Sequence, residues 1–212
     1  MKSKIFYTTV LIIICTLISF LLYKNSTVRN SINTAEIKIE KTEVARLSLD
    51  GSSVKILTST NEYSTTRDFI FLNNETGETI TTVSIASLGL STPYYRVAKG
   101  VNHDWLVVTK VETWGTGVRR DTNEWYILDQ GKKMKLVLSY LGTSLEVPNG
   151  EGKNEYIRTE VQDVGNDDKS IIIRYINKLC SAGENNGDKD CFESVNTKKY
   201  LWDNDKEEFM NQ

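Results

Sequence analysis

Apolar positions recur with a period of two along most of the chain from Glu36 onward. Ile37 and Ile39, for example, alternate with charged residues, as expected for a strand with one buried face. Further runs rich in β-branched and aromatic residues lie at 54–57, 69–72, 80–85, 105–111, 124–128, 136–140, 156–161, 171–179 and 192–202. No stretch after residue 35 has a long helical period. The pattern therefore predicts an all-β domain, built as an antiparallel sandwich or a curled meander of about 10 strands.

The stretch from Trp105 to Tyr140 is the centre of this predicted domain, because it contains three of the four tryptophans. It has the pattern of three strands, and Asp129–Gly131 has the composition of a turn between the second and the third. Residues 106–108 are apolar at consecutive positions, so both faces of the first of these strands are expected to be buried. That strand is therefore predicted to be interior to a sheet.

An uncharged apolar segment precedes the domain, from Ile5 to Tyr23. As one N-terminal helix it would span about 28 Å, close to the bilayer's hydrocarbon thickness of about 30 Å. Residues 25–35 are polar and lack an apolar period, as is typical of a linker. The chain is thus predicted to comprise a membrane anchor or signal peptide (1–24), a polar linker (25–35) and an exported β-rich domain (36–212).

The residues around the apolar segment predict its orientation. Lys2 and Lys4 precede it, and a positively charged flank favours the cytoplasmic side. Leu21–Lys24 lack the small residues of a signal-peptide cleavage site, which favours an uncleaved anchor. We therefore expect a single-pass membrane protein whose C-terminal domain lies outside the cytoplasm. Cleavage is the alternative, and it would release a secreted or periplasmic domain.

Composition limits the classes of partner. Residues 25–212 contain 23 basic and 28 acidic residues, so the domain lacks the basic surface of a nucleic-acid-binding protein. The apolar fraction of 39% is sufficient for a folded core and argues against global disorder. The predicted partners are accordingly the membrane, through residues 5–23, and a protein or a glycan.

Cys180 and Cys191 flank a ten-residue segment rich in Gly, Asn and Asp. In an oxidising compartment such a pair is expected to form a disulfide that closes the loop. Two unrelated thiols are the alternative. The third cysteine, Cys15, lies within the apolar segment.

Catalytic chemistry is not indicated by any motif. His103 is the only histidine, and its neighbour Asp104 would point to the opposite face of a strand, so the two would make a poor catalytic pair. One histidine and two cysteines do not provide a zinc site, and the acidic turns near Asp168 and Asp203 lack the central glycine of an EF-hand loop. No catalytic residue, metal or cofactor is therefore predicted.

The loop from Trp114 to Arg120 is the predicted binding site. It combines an aromatic side chain (Trp114), two glycines (Gly115 and Gly117) and two guanidinium groups (Arg119 and Arg120). Tryptophan and arginine are the residue types that dominate binding hot spots. The alternative is a hairpin loop without a binding role.

These features predict a membrane-tethered, exported, non-catalytic β-domain that binds a protein partner or a surface glycan. One alternative is an exported hydrolase with an active site that no motif reveals, for example around His103. Another is an architectural subunit of an envelope complex. No motif in the chain identifies a family.

Overall fold

A computed structural model describes the chain over residues 39–60, 65–89, 91–113, 118–146, 152–165, 168–182 and 188–212. Within these residues the protein is all-β and forms two antiparallel sheets. The strands in this part of the chain are β1 (Ile39–Ala45), β2 (Val54–Thr60), β3 (Thr66–Asn73), β4 (Thr79–Ala86), β5 (Tyr94–Ala98), β6 (Trp105–Thr113), β7 (Val118–Leu128), β8 (Met134–Glu146), β9 (Lys153–Val164), β10 (Ser170–Ala182), β11 (Asp188–Asp203) and β12 (Glu208–Asn211). The predicted all-β class is thus confirmed.

Strands that are consecutive in the chain are neighbours in the sheets. The first sheet has the order β1-β2-β3-β4, and the second runs in the same way from β5 to β12. Tight turns suffice for this order, because neighbouring antiparallel strands need only a short connection. Between β3 and β4, for instance, the Gly77 N–H donates to the Asn73 carbonyl oxygen at 2.9 Å.

β5 and β12 are the two strands that the sequence pattern did not predict. β5 has five residues and starts with two tyrosines, and β12 has only four residues. Strands of this length contain too few alternations to be distinguished from loops. Each lies at an edge of the second sheet, where it pairs with a single neighbour.

β6 is buried on both faces, as its sequence predicts. Trp105, Leu106, Val107 and Val108 are all 0% exposed. Leu106 and Val108 belong to a core shared with the first sheet, which includes Phe69. Trp105 and Val107 belong to a second core on the other side of β6. The second sheet therefore has an outer face, packed against the first sheet, and an inner face that carries this tryptophan-rich core.

β12 and the turn before it approach β8, although the two strands are not neighbours in the strand order. Lys135 of β8 forms an ion pair with Glu207, and it donates to the Lys206 carbonyl oxygen at 2.7 Å. On the inner face, Phe209 of β12 packs on Trp105 with 6.2 Å between ring centroids. All eight strands of this sheet contribute residues to the core on its inner face.

β8 and β9 separate along most of their length. They pair only from Thr143 to Glu146 on β8 and from Glu155 to Arg158 on β9. The preceding part of β8, from Met134 onward, stays paired with β7. An opening therefore remains on the inner face beside this part of β8.

The predicted anchor and linker, residues 1–35, lie outside the described residues. In the part of the chain that is described, no helix is long and apolar enough to cross a membrane. The anchor and the localisation that follows from it thus stay predictions of the sequence.

Candidate binding groove

A groove opens on the inner face where β8 separates from β9. It has a volume of about 580 Å³, within the range of about 300–1,000 Å³ that is typical of ligand pockets. It is lined by residues 139–141 of β8, Ile157 of β9, Tyr175 and Asn177 of β10, and Ser194, Asn196, Lys198 and Tyr200 of β11. β11 contributes every second residue because alternate side chains of a strand share one face.

Three tyrosines give the groove an aromatic base. The hydroxyl oxygens of Tyr175 and Tyr200 lie 3.0 Å apart and share a hydrogen bond. The Tyr140 hydroxyl accepts a hydrogen bond from Nε1 of Trp125 at 3.4 Å. Burial raises the pKa of Tyr140 and that of Tyr175, and the bond to Tyr200 raises the pKa of Tyr175 further. The Tyr140 and Tyr175 hydroxyls therefore stay protonated at neutral pH and are able to donate.

Amide and ammonium groups surround these rings. Asn177 donates from Nδ2 to Glu155 Oε1 at 3.0 Å, while its buried Oδ1 has no hydrogen-bond partner among the described residues. The Lys198 ammonium lies 5.0 Å from the centroid of the Tyr175 ring, within cation–π distance. Asn196 is exposed at the open side of the groove. The groove thus presents polar groups beside aromatic rings.

The groove lining contains no arrangement for nucleophilic catalysis in the part of the chain that the structure describes. It includes Ser139, Ser194 and Lys198 but no carboxylate, histidine or thiol. A serine nucleophile needs a base within hydrogen-bonding distance. Between these described serines and Lys198 there is no hydrogen bond.

The structure describes only part of the predicted binding loop. Trp114, Gly115 and Gly117 lie outside the described residues, whereas Arg119 and Arg120 are exposed residues of β7. Neighbouring residues of a strand point to opposite faces. The two guanidinium groups therefore project from opposite faces of the sheet.

Arg119 is oriented by a nearby carboxylate on its own strand. Its Nε and Nη2 donate to Oδ1 and Oδ2 of Asp121, each at 3.0 Å. Arg119 and Asp121 lie on the same inner face of the sheet as Trp125, because the three residues are an even number of positions apart along β7. Arg119 pairs with Leu145, which in turn pairs with Tyr156. The β7 end that flanks the predicted loop therefore lies at the same end of the sheet as the start of β9.

The predicted disulfide between Cys180 and Cys191 is present, and it links β10 to β11. Nearby, Asp188 accepts hydrogen bonds from Asn154 Nδ2 at 2.9 Å and from the Tyr156 hydroxyl at 2.8 Å, and these bonds lower the pKa of Asp188. The two sulfur atoms and this carboxylate are close enough together to hold a metal ion. The thiolate, however, is the metal-ligating form of cysteine, and here the sulfurs are bonded to each other.

His103 pairs with Asp168 and not with its neighbour in sequence, with 3.9 Å between Nδ1 and Oδ2. Its ring packs on Trp105 with 4.6 Å between ring centroids. Burial lowers the pKa of His103, so the imidazole is neutral at neutral pH. Within the described residues the buried Nε2 atom has no hydrogen-bond partner. This geometry supports a structural role for the histidine.

Two buried carboxylates hold the loop that precedes β6. Asp168 accepts hydrogen bonds from the backbone N–H groups of residues 101–103. Asp104 accepts from the Arg46 backbone N–H at 2.9 Å and from Lys99 Nζ at 3.1 Å. Burial alone would raise the pKa of Asp104, but these hydrogen bonds outweigh it and the pKa is lowered. Both carboxylates are thus occupied as structural acceptors.

The groove could not be predicted from the sequence. Its residues come from four strands, and they line one opening because β8 separates from β9. One signal was available in the sequence. Ser194, Asn196 and Lys198 are polar and lie on the same face of β11 as the buried Tyr200. A face that points towards the core usually carries apolar residues instead.

No protein-family model, curated protein or solved structure matches this chain. No relative therefore transfers a function or a set of site residues to it. The functional assignment depends on the geometry of the groove and on the chemistry of the residues around it.

Proposed function

We propose that this protein is a membrane-tethered, exported and non-catalytic β-domain that binds a surface glycan in the groove. The observation that carries the proposal is the combination of three tyrosines with amide and ammonium groups on one concave face. Ligand sites are typically concave and largely apolar or aromatic, with a few polar groups that fix the orientation of the ligand.

A sugar matches this chemistry better than a purely apolar ligand does. A tyrosine presents both an apolar ring, suited to the C–H face of a pyranose, and a hydroxyl group. The buried Asn177 Oδ1 can accept from a sugar hydroxyl, and an acceptor left unpaired in a buried site is energetically unfavourable. Lys198 adds a positive charge that favours a glycan with carboxylate or sulfate groups.

The tether and the exported location are part of the same proposal. The apolar run of residues 5–23 supports an anchor, and residues 25–35 support a polar linker. The Cys180–Cys191 disulfide supports an oxidising compartment, since such bonds are rare in the cytosol. Intact mass of the protein from its native membranes distinguishes an uncleaved anchor from a secreted or periplasmic product that lacks about 20–35 residues.

We also propose that the second sheet is a curled meander and that the first sheet packs on it as in a sandwich. The sequential strand order and the approach of β12 to β8 support a curled meander from β5 to β12. The core shared with the first sheet supports a sandwich of that sheet on the outer face.

A panel of immobilised neutral and anionic oligosaccharides tests the glycan proposal. The wild-type chain should bind a subset of the panel, and the double variant Asn196→Ala/Lys198→Ala should lose that binding. The matched control is Arg158→Ala/Glu160→Ala, two exposed residues on the opposite face of the groove strand β9 and away from the free edge of β11. Equal loss in both variants, or binding that survives in the groove variant, would show that the groove is not the site.

A protein partner bound through the Trp114–Arg120 loop is the second candidate. Arg119 favours it, because its bidentate bond to Asp121 fixes the direction of an exposed guanidinium group. Trp114→Ala/Arg119→Ala/Arg120→Ala should then abolish capture of one stoichiometric partner while the melting temperature changes little. An unfolded triple variant would indicate that the loop has a structural role.

The remaining rivals are an exported hydrolase and an architectural envelope subunit. Turnover of ester, peptide or glycoside substrates that disappears in His103→Ala would support the hydrolase. Constant stoichiometric co-purification with envelope proteins, without binding to any oligosaccharide, would support the architectural subunit.

A further inference from the structure

One edge of the second sheet is long and open. β11 runs over 16 residues, but β12 covers only Tyr200–Asp203. Among the described residues, the other 12 residues, 188–199, are exposed on both faces and have a paired strand only on the β10 side, apart from the Lys199 carbonyl oxygen, which Gln212 reaches. An exposed edge of this length is a template for pairing with another strand.

Two backbone hydrogen bonds show which residues point outward along this edge. The Trp202 N–H donates towards β10, to the Lys169 carbonyl oxygen at 2.8 Å, while the Lys199 carbonyl oxygen accepts from the Gln212 N–H on the other side at 3.0 Å. The register with β10 has no shift between Phe192 and Leu201. Since the direction alternates along an antiparallel strand, the odd-numbered residues 193, 195 and 197 point their N–H and C=O groups to the open side.

The charged side chains along this edge complement those of a second copy of β11 that runs in the opposite direction. The start of the free stretch carries Asp188, Lys189, Asp190 and Glu193, with a net negative charge, and its end carries Lys198 and Lys199. Two copies of β11 that run in opposite directions therefore bring Glu193 of each copy towards Lys199 of the other. Val195, 49% exposed, lies midway in the bulge-free part of this edge.

We propose that two copies of this chain associate through antiparallel pairing of their β11 edges, with a two-fold axis at Val195. The two valines then face each other at the axis, and Glu193 lies opposite Thr197 and diagonal to Lys199 of the second copy. Both charged residues are exposed in the single chain, so their pairing requires no rearrangement. The regular edge that β12 leaves free lies around this axis.

The pairing extends the groove. In a continuous antiparallel sheet, the inner faces of the two copies lie on the same side. Phe192, 70% exposed in the single chain, shares its face with the groove residues Ser194 and Lys198. In the proposed register Phe192 of one copy lies opposite Lys198 of the other, so each groove gains an aromatic wall. This consequence depends on the proposed binding function, whereas the pairing itself does not.

Sedimentation of the full-length chain in detergent micelles tests the pairing. An interface of one strand pair is small, so we expect a dimerisation Kd of about 1–100 μM. Glu193→Lys and Lys199→Glu should each weaken dimerisation by about tenfold, because residues 193 and 199 then place like charges in diagonal positions at two symmetric places across the pair. The combined Glu193→Lys/Lys199→Glu variant should restore it. A monomer at every concentration, or a dimer insensitive to all three variants, overturns the proposal.

Cross-linking tests the position of the axis. Directly opposed hydrogen-bonded residues have Cα atoms about 5.5 Å apart, within the disulfide range of about 4.4–6.8 Å. In a Cys15→Ser background, Val195→Cys should therefore form an intermolecular disulfide under mild oxidation. The matched control is Thr82→Cys on the exposed edge strand β4, which should stay unlinked. Equal cross-linking of both variants, or none at Val195→Cys, contradicts the proposed axis. The oligosaccharide panel tests the groove independently of this cross-linking result.

Discussion

At the scale of single residues, His103 makes the stability of the folded protein depend on pH. Burial lowers its pKa below the value of about 6.5 that it has in an unfolded chain. On acidification the imidazole therefore takes up a proton in the unfolded state before it does so in the folded state. The stability contributed by the neutral imidazole is fully present above about pH 6.5 and is lost as the pH falls below that value. It is the only histidine in the chain, so the slope between about pH 7 and 5 reports on this side chain.

Urea unfolding at a series of pH values measures this slope. The wild-type free energy of unfolding should fall between about pH 7 and 5, and His103→Gln should flatten the curve in that window. A wild type that gains stability on acidification, or a slope that persists in the variant, would contradict the buried neutral imidazole.

Gly100 fixes the loop that His103 belongs to. A Cβ atom there would lie 2.3 Å from the His103 carbonyl oxygen and 2.6 Å from Asp168 Oδ1. Gly100→Ala should therefore destabilise the protein by about 2–4 kcal/mol in thermal or urea unfolding. Gly77→Ala is the control, because Gly77 has a positive φ of 73° but no atom near its Cβ position, and it should cost about 1 kcal/mol. Equal effects would mean that the loop relaxes around the methyl group.

At the scale of elements, the disulfide stabilises the β10–β11 hairpin. It closes a loop with a sequence separation of 11 residues, which contributes about 3 kcal/mol in the chain-entropy model. Cys180→Ser/Cys191→Ser should lower the free energy of unfolding by about that amount, while Cys15→Ser serves as the control outside the hairpin. If a reducing agent leaves the wild-type stability unchanged, the disulfide does not stabilise the fold.

The elements also show what the sequence could predict. β6 was predicted to be interior because consecutive apolar residues, Leu106 to Val108, leave no polar face, and these residues are fully buried. The Cys180–Cys191 pair was predictable from its spacing. β5 and β12 were missed because they are short edge strands, whose stability comes from one neighbouring strand and from packing on the curled sheet. Periodicity carries no information about such contacts.

At the scale of the whole molecule, the groove depends on features that local patterns do not encode. β8 pairs with β9 over four residues only, and register shifts on β8, near Gly142, and on β9 bend the sheet. These shifts bring Tyr140 of β8 near Tyr175 and Tyr200, although the three residues are far apart in sequence. The sequence therefore predicted the sheet but could not predict which strands would part to form a site.

The tether and the edge pairing act together in this account. An anchor at residues 5–23 would restrict the domain to a membrane surface, where a high effective concentration favours a weak two-fold contact. Two neighbouring grooves would then bind one extended glycan with higher avidity than a single groove.

The most direct test of the account is a calorimetric titration of the groove. The oligosaccharide that binds most strongly in the panel is titrated into the wild-type chain and into Asn196→Ala/Lys198→Ala and Arg158→Ala/Glu160→Ala. We expect the groove variant to weaken binding at least about tenfold, since two polar contacts of about 1 kcal/mol each are lost, and the opposite-face variant to stay within about twofold of wild type. Equal affinities for all three proteins would contradict the assignment of the groove as the binding site.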